Sequence, residues 1–274
     1  MENNEYWDIL VINGDLDNIM AVSSFIIDKS CGLEENDNSL RMYFKPNMQD
    51  SINQSIDKLS IKFHFTSKWE KQANEDWHLK WEKNFTPVFI KDSIVIKPNW
   101  DEEEYDVKHN IIIKPGMAFG TGHHETTTLI LEKLIDIIEL GDSVLDLGTG
   151  SGILSIAAKK LGASNIYALD NDNECSGNFI ENMNLNNVSD VPFYCSDALV
   201  LDNYDYDVVI ANINRNVLVE LIPKLIYCKG KIILSGLLTT DQELVVKICN
   251  SHNFKIVDIN SNSEWISILL ESNV

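Results

Sequence analysis

The sequence predicts a doubly wound α/β domain built on a seven-stranded, mostly parallel sheet, preceded by a smaller α+β domain of ferredoxin-like type. Three observations carry this reading. From residue 110 onward, apolar β-branched runs alternate with amphipathic stretches, so that strand and helix follow each other repeatedly. One such unit, residues 144–172, breaks from a strand into three glycines at alternate positions and ends its second strand on an acid. The first seventy residues read as strand, helix, strand, helix, strand. A chain of 274 residues suits one large or two modest domains.

In order, YWDILVIN (6–13) reads as a strand, and LDNIMAVSSFIIDKS (16–30) as a helix stopped at Cys31 and Gly32. SLRMYF (39–44) is a second strand, residues 48–59 form an amphipathic helix, and IKFHFTSKW (61–69) is a third strand. By that count the sandwich, assigned to residues 1–70, is incomplete, and it shows no catalytic constellation; His64 reads as a strand-face residue. Residues 71–86 are charged and place Trp77 and Trp81 four apart, on one helical face. They read as a linker helix that docks its tryptophans on a domain and ends at Pro87.

The larger domain, 87–274, opens on a short hairpin, PVFIKDSIVIKPNW. Strands are expected at 110–113, 143–148, 166–170, 191–196, 206–212, 231–236, 255–260 and 265–271. Helices are expected at 126–139, 152–161, 173–186, 216–226 and 242–252. The last two strands have no helix between them, so a hairpin through SNSE would set one antiparallel strand in the sheet.

Composition narrows the function. With 22 basic against 42 acidic residues the formal charge is −20, and there is no long basic run. A large nucleic-acid footprint is therefore disfavoured, since such binding depends on Lys and Arg neutralising phosphates. Two readings of the acidity stand side by side: it steers a basic protein substrate, or it only keeps the chain soluble. No apolar run approaches the ~20 residues of a membrane span. The opening MENNEYWDIL lacks the order of a signal peptide and the Arg-rich bias of a transit peptide, and the five cysteines are scattered without a CxxC. Reduced thiols, a cytoplasmic location and no structural zinc are expected.

In VLDLGTGSGILSIAAKKLGASNIYALDND (144–172), Gly148, Gly150 and Gly152 let the backbone approach a ligand, and Asp170 stands where an acid accepts bonds from ribose hydroxyls. The dinucleotide fingerprint places its third glycine five residues after the first, and here that position is Ile153. The tighter turn suits a nucleoside without phosphates, and with Asp146 before it and Asp170 after it the expected cofactor is S-adenosyl-L-methionine. Ligands of an open parallel sheet sit beyond the strands' carboxyl ends. Three further segments converge there. KPGMAFGTGHHETTT (114–128), with Phe119 among three glycines, has the composition of a mobile loop that closes over a ligand. Its adjacent His123 and His124 are poorly placed to share one ion, so no metal is expected. VVIANINRNV ends a strand on Asn212, whose side-chain oxygen, with nearby carbonyls, is suited to orient an amine. Asp197, closing FYCSD, either reaches the adenine amine or caps a helix.

PGMAFGTGHHETT, LDLGTGSGILSIAAKKLGA, ANINRNVL and LSGLL, in that order, resemble the ribosomal protein L-eleven methyltransferase family, and NEDWHLKWEKNFTPV is similar to that family's linker. The resemblance spans about residues 70–270, and its first motif is highly specific. It implies a class I, Rossmann-like methyltransferase domain, with the N-terminal domain in the position of the family's ferredoxin-like substrate-recognition domain. It implies transfer of methyl groups from S-adenosyl-L-methionine to lysine side chains and the N-terminal amine of a basic ribosomal protein at the stalk base, without direct contact to nucleic acid or membrane. The family's cofactor contacts fall on Thr127, Gly148, Asp170 and Asn212, and the site is completed by Phe119, Asp146, Gly150 and Asp197, with Asn212 as the catalytic residue. The chain departs from the family pattern at Lys114, Thr149, Ile213-Asn214 and Arg215, none of them a mapped contact.

Rivals are a methyltransferase of the same lineage acting on another protein lysine, and a nucleic-acid amino-methyltransferase. The latter typically follows its Asn with Pro-Pro and an aromatic that stacks a flipped base; here Ile213, Asn214 and Arg215 follow. A nicotinamide dehydrogenase fails on the glycine spacing, and a non-catalytic module is disfavoured by the intact turn, Asp170 and Asn212.

Overall fold

The computed structural model describes residues 6–26, 29–36, 39–73, 85–115, 120 and 122–272. The chain divides into two units, Met1–Phe85 and Thr86–Val274.

In the first unit β1 (Tyr6–Gly14), α1 (Leu16–Ser24), β2 (Gly32–Asn36), β3 (Ser39–Phe44), α2 (Gln49–Leu59) and β4 (Phe65–Ala73) follow one another. The antiparallel sheet runs β2-β3-β1-β4. This is the complete ferredoxin-like pattern, not the incomplete one expected. Alternation along β1 sends Leu10 and Ile12 toward the helices, where they meet Ile19 and Val22 of α1 and Ile52, Ile56 and Leu59 of α2. The strand the sequence hid, β2, is GLEEN: an edge strand paired only to β3, with no apolar alternation to betray it. The strand read as 61–69 lies at 65–73, pairing Tyr6 with Ala73. Residues 71–73 therefore extend a strand where the linker helix was expected to begin; residues 74–84, with Trp77 and Trp81, lie outside the described residues.

The second unit opens with β5 (Val88–Ile90), β6 (Ile94–Pro98) and β7 (His109–Ile113). β5 and β6 form the expected hairpin, and β7 joins β6 in parallel. The strand read at 110–113 thus belongs to a separate three-stranded sheet, order β5-β6-β7, and not to the doubly wound one. Then come α3 (Glu125–Ile137), β8 (Ser143–Leu147), α4 (Ile153–Leu161), β9 (Asn165–Asp170), α5 (Cys175–Leu185), β10 (Phe193–Cys195), β11 (Val208–Asn212), α6 (Arg215–Leu221), β12 (Lys231–Leu238), α7 (Gln242–Ser251), β13 (Phe254–Asn262) and β14 (Trp265–Ser272).

The seven strands run β10-β9-β8-β11-β12-β14-β13, and only β14, inserted by the terminal hairpin, is antiparallel to its neighbours. Order reverses between β8 and β11, which opens a crevice at the strands' carboxyl ends. Both faces are covered, so alternate residues of each strand enter different cores. Val144 and Ile210 pack with Leu134 of α3, Ile156 of α4 and Phe179 of α5. Leu145, Leu147 and Val209 pack with Leu218 of α6 and Val245 of α7. Among the described residues no helix is long and apolar enough to cross a membrane.

Candidate active site

The crevice is built around the turn that leaves β8. Gly148 has φ 74°, and a Cβ there would lie 2.3 Å from Cγ2 of Ile213. On its other side, the backbone oxygen of Ile213 would lie 2.2 Å from a Cβ on Gly236, whose φ is 85°. The segment that carries Asn212 out of β11 is therefore seated between two glycines, one from the turn and one from LSGLL. The turn is latched to the end of β9: the amides of Gly148 and Thr149 both donate to the Leu169 carbonyl at 2.9 Å, and the Gly150 amide donates to Oδ2 of Asp170 at 2.9 Å. Oδ1 of Asp170 accepts from the Asp172 amide at 3.0 Å.

Asp146 does something different from what was expected of it. Alternation along β8 puts it on the same face as Val144, beneath the turn, where it is wholly buried. Its Oδ2 accepts from the Thr149 hydroxyl at 2.7 Å and the Ser155 hydroxyl at 2.6 Å, so it pins the turn to the first helical residues of α4. Its Oδ1 is buried with no hydrogen-bond partner. Burial pushes its pKa up to about 6, against the opposing pull of those two hydroxyls. It is a support under the crevice and does not line it.

The crevice has a volume of about 450 Å³ and is lined by Gly148, Gly150, Asp170, Asp197, Asn212 and Ile213, among others. That is ample for a nucleoside-sized ligand. Asn212 is half-buried at the last position of β11. Asp197 is exposed, and its Oδ1 accepts from the Leu199 amide at 2.8 Å; it opens a tight turn, so the helix-capping alternative takes the form of a turn cap. Cys175 also lines the space, its thiol pushed up to about 11 by burial and by the charges of Asp170 and Asp172.

Thr127 sits in the first turn of α3, fully buried, and its hydroxyl has no hydrogen-bond partner. A buried unpaired hydroxyl invites an explanation, but Thr127 is not among the residues that line the crevice. Phe119 lies outside the described residues. His124 caps α3, its Nδ1 accepting from the Thr126 amide at 3.3 Å, and packs edge-on against Trp265 with ring centroids 4.9 Å apart. Nε2 of His123 lies 2.9 Å from the Thr86 carbonyl.

Besides Thr149, three of the sequence departures have visible partners. Arg215 bonds Oδ1 of Asp241 at 3.1 Å, and Oδ2 of the same Asp241 accepts from the Leu238 amide at 3.0 Å, so the arginine fastens the end of LSGLL. Lys114 pairs with Glu181 of α5 at 2.8 Å. Asn214 caps α6, accepting from the Val217 amide at 3.2 Å. The sequence reading passed over Gly236, Thr149 and Ser155 as parts of the site. The spacing of Thr149 and Ser155 from Asp146 becomes a signal only once the turn brings them together.

The model of the family "Ribosomal protein L11 methyltransferase (PrmA)" matches residues 17–273. The ribosomal protein L11 methyltransferase of Prochlorococcus marinus (strain MIT 9312) is 36% identical over 233 residues, 81% of this chain and 73% of its own. That of Bacteroides fragilis (strain YCH46) is 38% identical over 200 residues, 71% of each chain. The crystal structure of the ribosomal protein L11 methylase from Lactobacillus delbrueckii subsp. bulgaricus superimposes with a TM-score of 0.65 at 29% identity. It covers 69% of this chain and all of that one.

Proposed function

The chain belongs to the ribosomal protein L11 methyltransferase family, and from that premise we propose that it transfers methyl groups from S-adenosyl-L-methionine to lysine side chains and the N-terminal amine of ribosomal protein L11. The observation that carries this reading is the crevice at the carboxyl ends of β8, β9 and β11, where a glycine turn, an acid and an asparagine converge.

The residues present fit such a donor. Asp170 offers carboxylate oxygens at the end of β9 for two ribose hydroxyls, and Gly148 and Gly150 line the crevice beside it. When bound, the donor supplies a methyl group on a positively charged sulfur.

What remains for the protein is to present a neutral amine in line. A lysine of pKa ~10.4 is mostly protonated at neutral pH, and freeing its lone pair costs roughly 4–5 kcal/mol. Desolvation in the crevice and the nearby positive sulfur both favour the neutral amine. The Asn212 amide oxygen accepts one amine hydrogen, and this turns the lone pair toward the methyl group. Positioning of this kind supplies a comparable or larger share of the barrier reduction, so no strong base is required. Residues 1–70 select the protein substrate, and the acidity of the chain suits a basic, lysine-bearing partner better than a nucleic acid. Action in the cytoplasm, where ribosomal proteins reside, belongs to the same reading.

The test is incubation of the purified chain with labelled S-adenosyl-L-methionine and ribosomal protein L11, followed by mass spectrometry of its peptides. Label on lysine and N-terminal amines is expected. Label confined to RNA, or to another protein when both are supplied, overturns the assignment.

A further inference from the structure

Helix α5 carries asparagines at 178 and 182, and Asn186 closes it, each four residues from the last. All three face the edge of β7 that, among the described residues, no strand pairs; β6 lies on its other side. Asn186 meets Ile112 on both backbone atoms: its Oδ1 accepts from the amide at 2.9 Å and its Nδ2 donates to the carbonyl at 2.6 Å. Two residues along, Oδ1 of Asn182 accepts from the Lys114 amide at 2.8 Å, and Nδ2 of Asn178 donates to the Lys114 carbonyl at 2.8 Å. The spacing works because four helical residues rise about 6 Å and two strand residues about 6.7 Å. The helix face thus serves the edge as a neighbouring strand would.

Asn182 has an attachment to the glycine turn that Asn178 and Asn186 lack; the second bond of Asn186 Nδ2 goes to the Asn182 carbonyl at 2.9 Å. Nδ2 of Asn182 donates at 2.9 Å to the carbonyl of Ser151, inside the glycine turn, and the side chain is wholly buried. The Ser151 hydroxyl in turn donates to the Gly120 carbonyl. One amide therefore uses its acceptor on the strand end and its donor on the turn. Removing it takes a partner from the part-buried Lys114 amide and from the buried Ser151 carbonyl at once.

We propose that Asn182 is a positioning residue for the methyl-donor site, fixing the glycine turn at Ser151 in register with the end of β7 at Lys114, so that donor affinity depends on it. This rests on the reading that the turn binds S-adenosyl-L-methionine. A purely structural role, covering a sheet edge, belongs equally to Asn186, which is buried on the same edge but does not touch the turn. Asn186→Ala is therefore the matched control.

The full chain is assayed for S-adenosylhomocysteine binding by calorimetry, well below the unfolding midpoint of every variant. Asn182→Ala and Asn182→Asp are each expected to weaken binding about tenfold, the worth of one well-made hydrogen bond to the turn. Assayed at pH 8, so that its carboxyl is ionised and cannot donate, Asn182→Asp keeps the acceptor for Lys114 and sets an oxygen against the Ser151 carbonyl at nearly constant volume. Asn186→Ala is expected to lower the midpoint while leaving affinity within about twofold of wild type. In the wild-type protein, saturating S-adenosylhomocysteine should slow amide hydrogen exchange at Lys114, a readout that holds even where a variant does not fold. Folded Asn182 variants with wild-type affinity, an equal loss in Asn186→Ala, or unchanged Lys114 exchange would each overturn the proposal. If the wild type itself binds no S-adenosylhomocysteine, the donor reading fails first, and that outcome is distinct from the others.

Discussion

Replacing Gly148 by alanine tests the architecture of the crevice with a single methyl group. Two costs are separable. The residue holds φ 74°, where an L side chain costs roughly 1–2 kcal/mol. The new Cβ would stand 2.3 Å from Cγ2 of Ile213, and forcing a methyl into such a contact costs typically ~1–3 kcal/mol. Ile213 cannot retreat as a unit, because its backbone oxygen already lies where a Cβ on Gly236 would come within 2.2 Å. The expected loss for Gly148→Ala is therefore about 2–5 kcal/mol. Ile213→Ala deletes the atom that the new methyl strikes. It carries its own cost, since Ile213 packs against the core beneath α6 and α7. In a double-mutant cycle read by urea unfolding, the pair should be less damaging than the sum of the singles by about 1–3 kcal/mol, leaving only the dihedral cost. S-adenosylhomocysteine affinity measured on the same proteins should fall in Gly148→Ala and partly return in the double variant. Costs that add within about 0.5 kcal/mol would refute the contact argument and leave the backbone angle as the whole reason for glycine.

The pKa of Asp146, raised from 3.8 to about 6, means that the folded chain holds a proton the unfolded chain has released. The sign follows: its contribution is fully present below pH 3.8 and is lost as pH rises through about 6. A rise of that size corresponds to roughly 3 kcal/mol at most, so the stability of wild type relative to Asp146→Asn should decline by about 2–3 kcal/mol between pH 4 and 7; a flat difference would exclude it. Asp170→Ala should weaken S-adenosylhomocysteine binding by about 1.5–3 kcal/mol in a folded protein, and unchanged calorimetric affinity would remove it from the ribose site. Asn212→Ala should slow single-turnover methylation at saturating donor by ~10²–10³ while changing donor affinity far less. A collapse of affinity with a normal rate would confine Asn212 to the donor site.

What was legible in the sequence was local. β8, the glycine turn, α4, β9 and Asp170 fall within thirty residues, and each break in apolar period has its own marker, so strand, turn and acid could be read in line. β2 was missed because an acidic edge strand needs no apolar face. Lys71 to Ala73 were read into a helix because charge at the end of an edge strand has the same texture as charge on an exposed helix. The strand at 109–113 was found but placed in the wrong sheet: apolar period reveals a strand and says nothing of its neighbours. Asp146 was noticed for its charge, and its part followed from parity. Residues 144 and 146 share a face of β8, and that face is the one α4 covers.

The asparagines of α5 show why the rest stayed hidden. Hydropathy assigns a polar residue to solvent, and a run of three at four-residue spacing reads as the outer stripe of a helix. Asn182 and Asn186 are instead among the buried polar residues of the protein. Their partners are backbone atoms of residues 112, 114 and 151, which every sequence possesses and none advertises. Hydropathy would judge leucine an improvement at 182, yet leucine would take a partner from the Lys114 amide and from the Ser151 carbonyl. The demand for polarity there originates in the three-stranded sheet, whose last strand ends, among the described residues, without a neighbouring strand on that edge just where the chain turns toward the crevice. Covering that edge with amides instead of another strand leaves one donor to spare, and at position 182 that donor reaches the glycine turn.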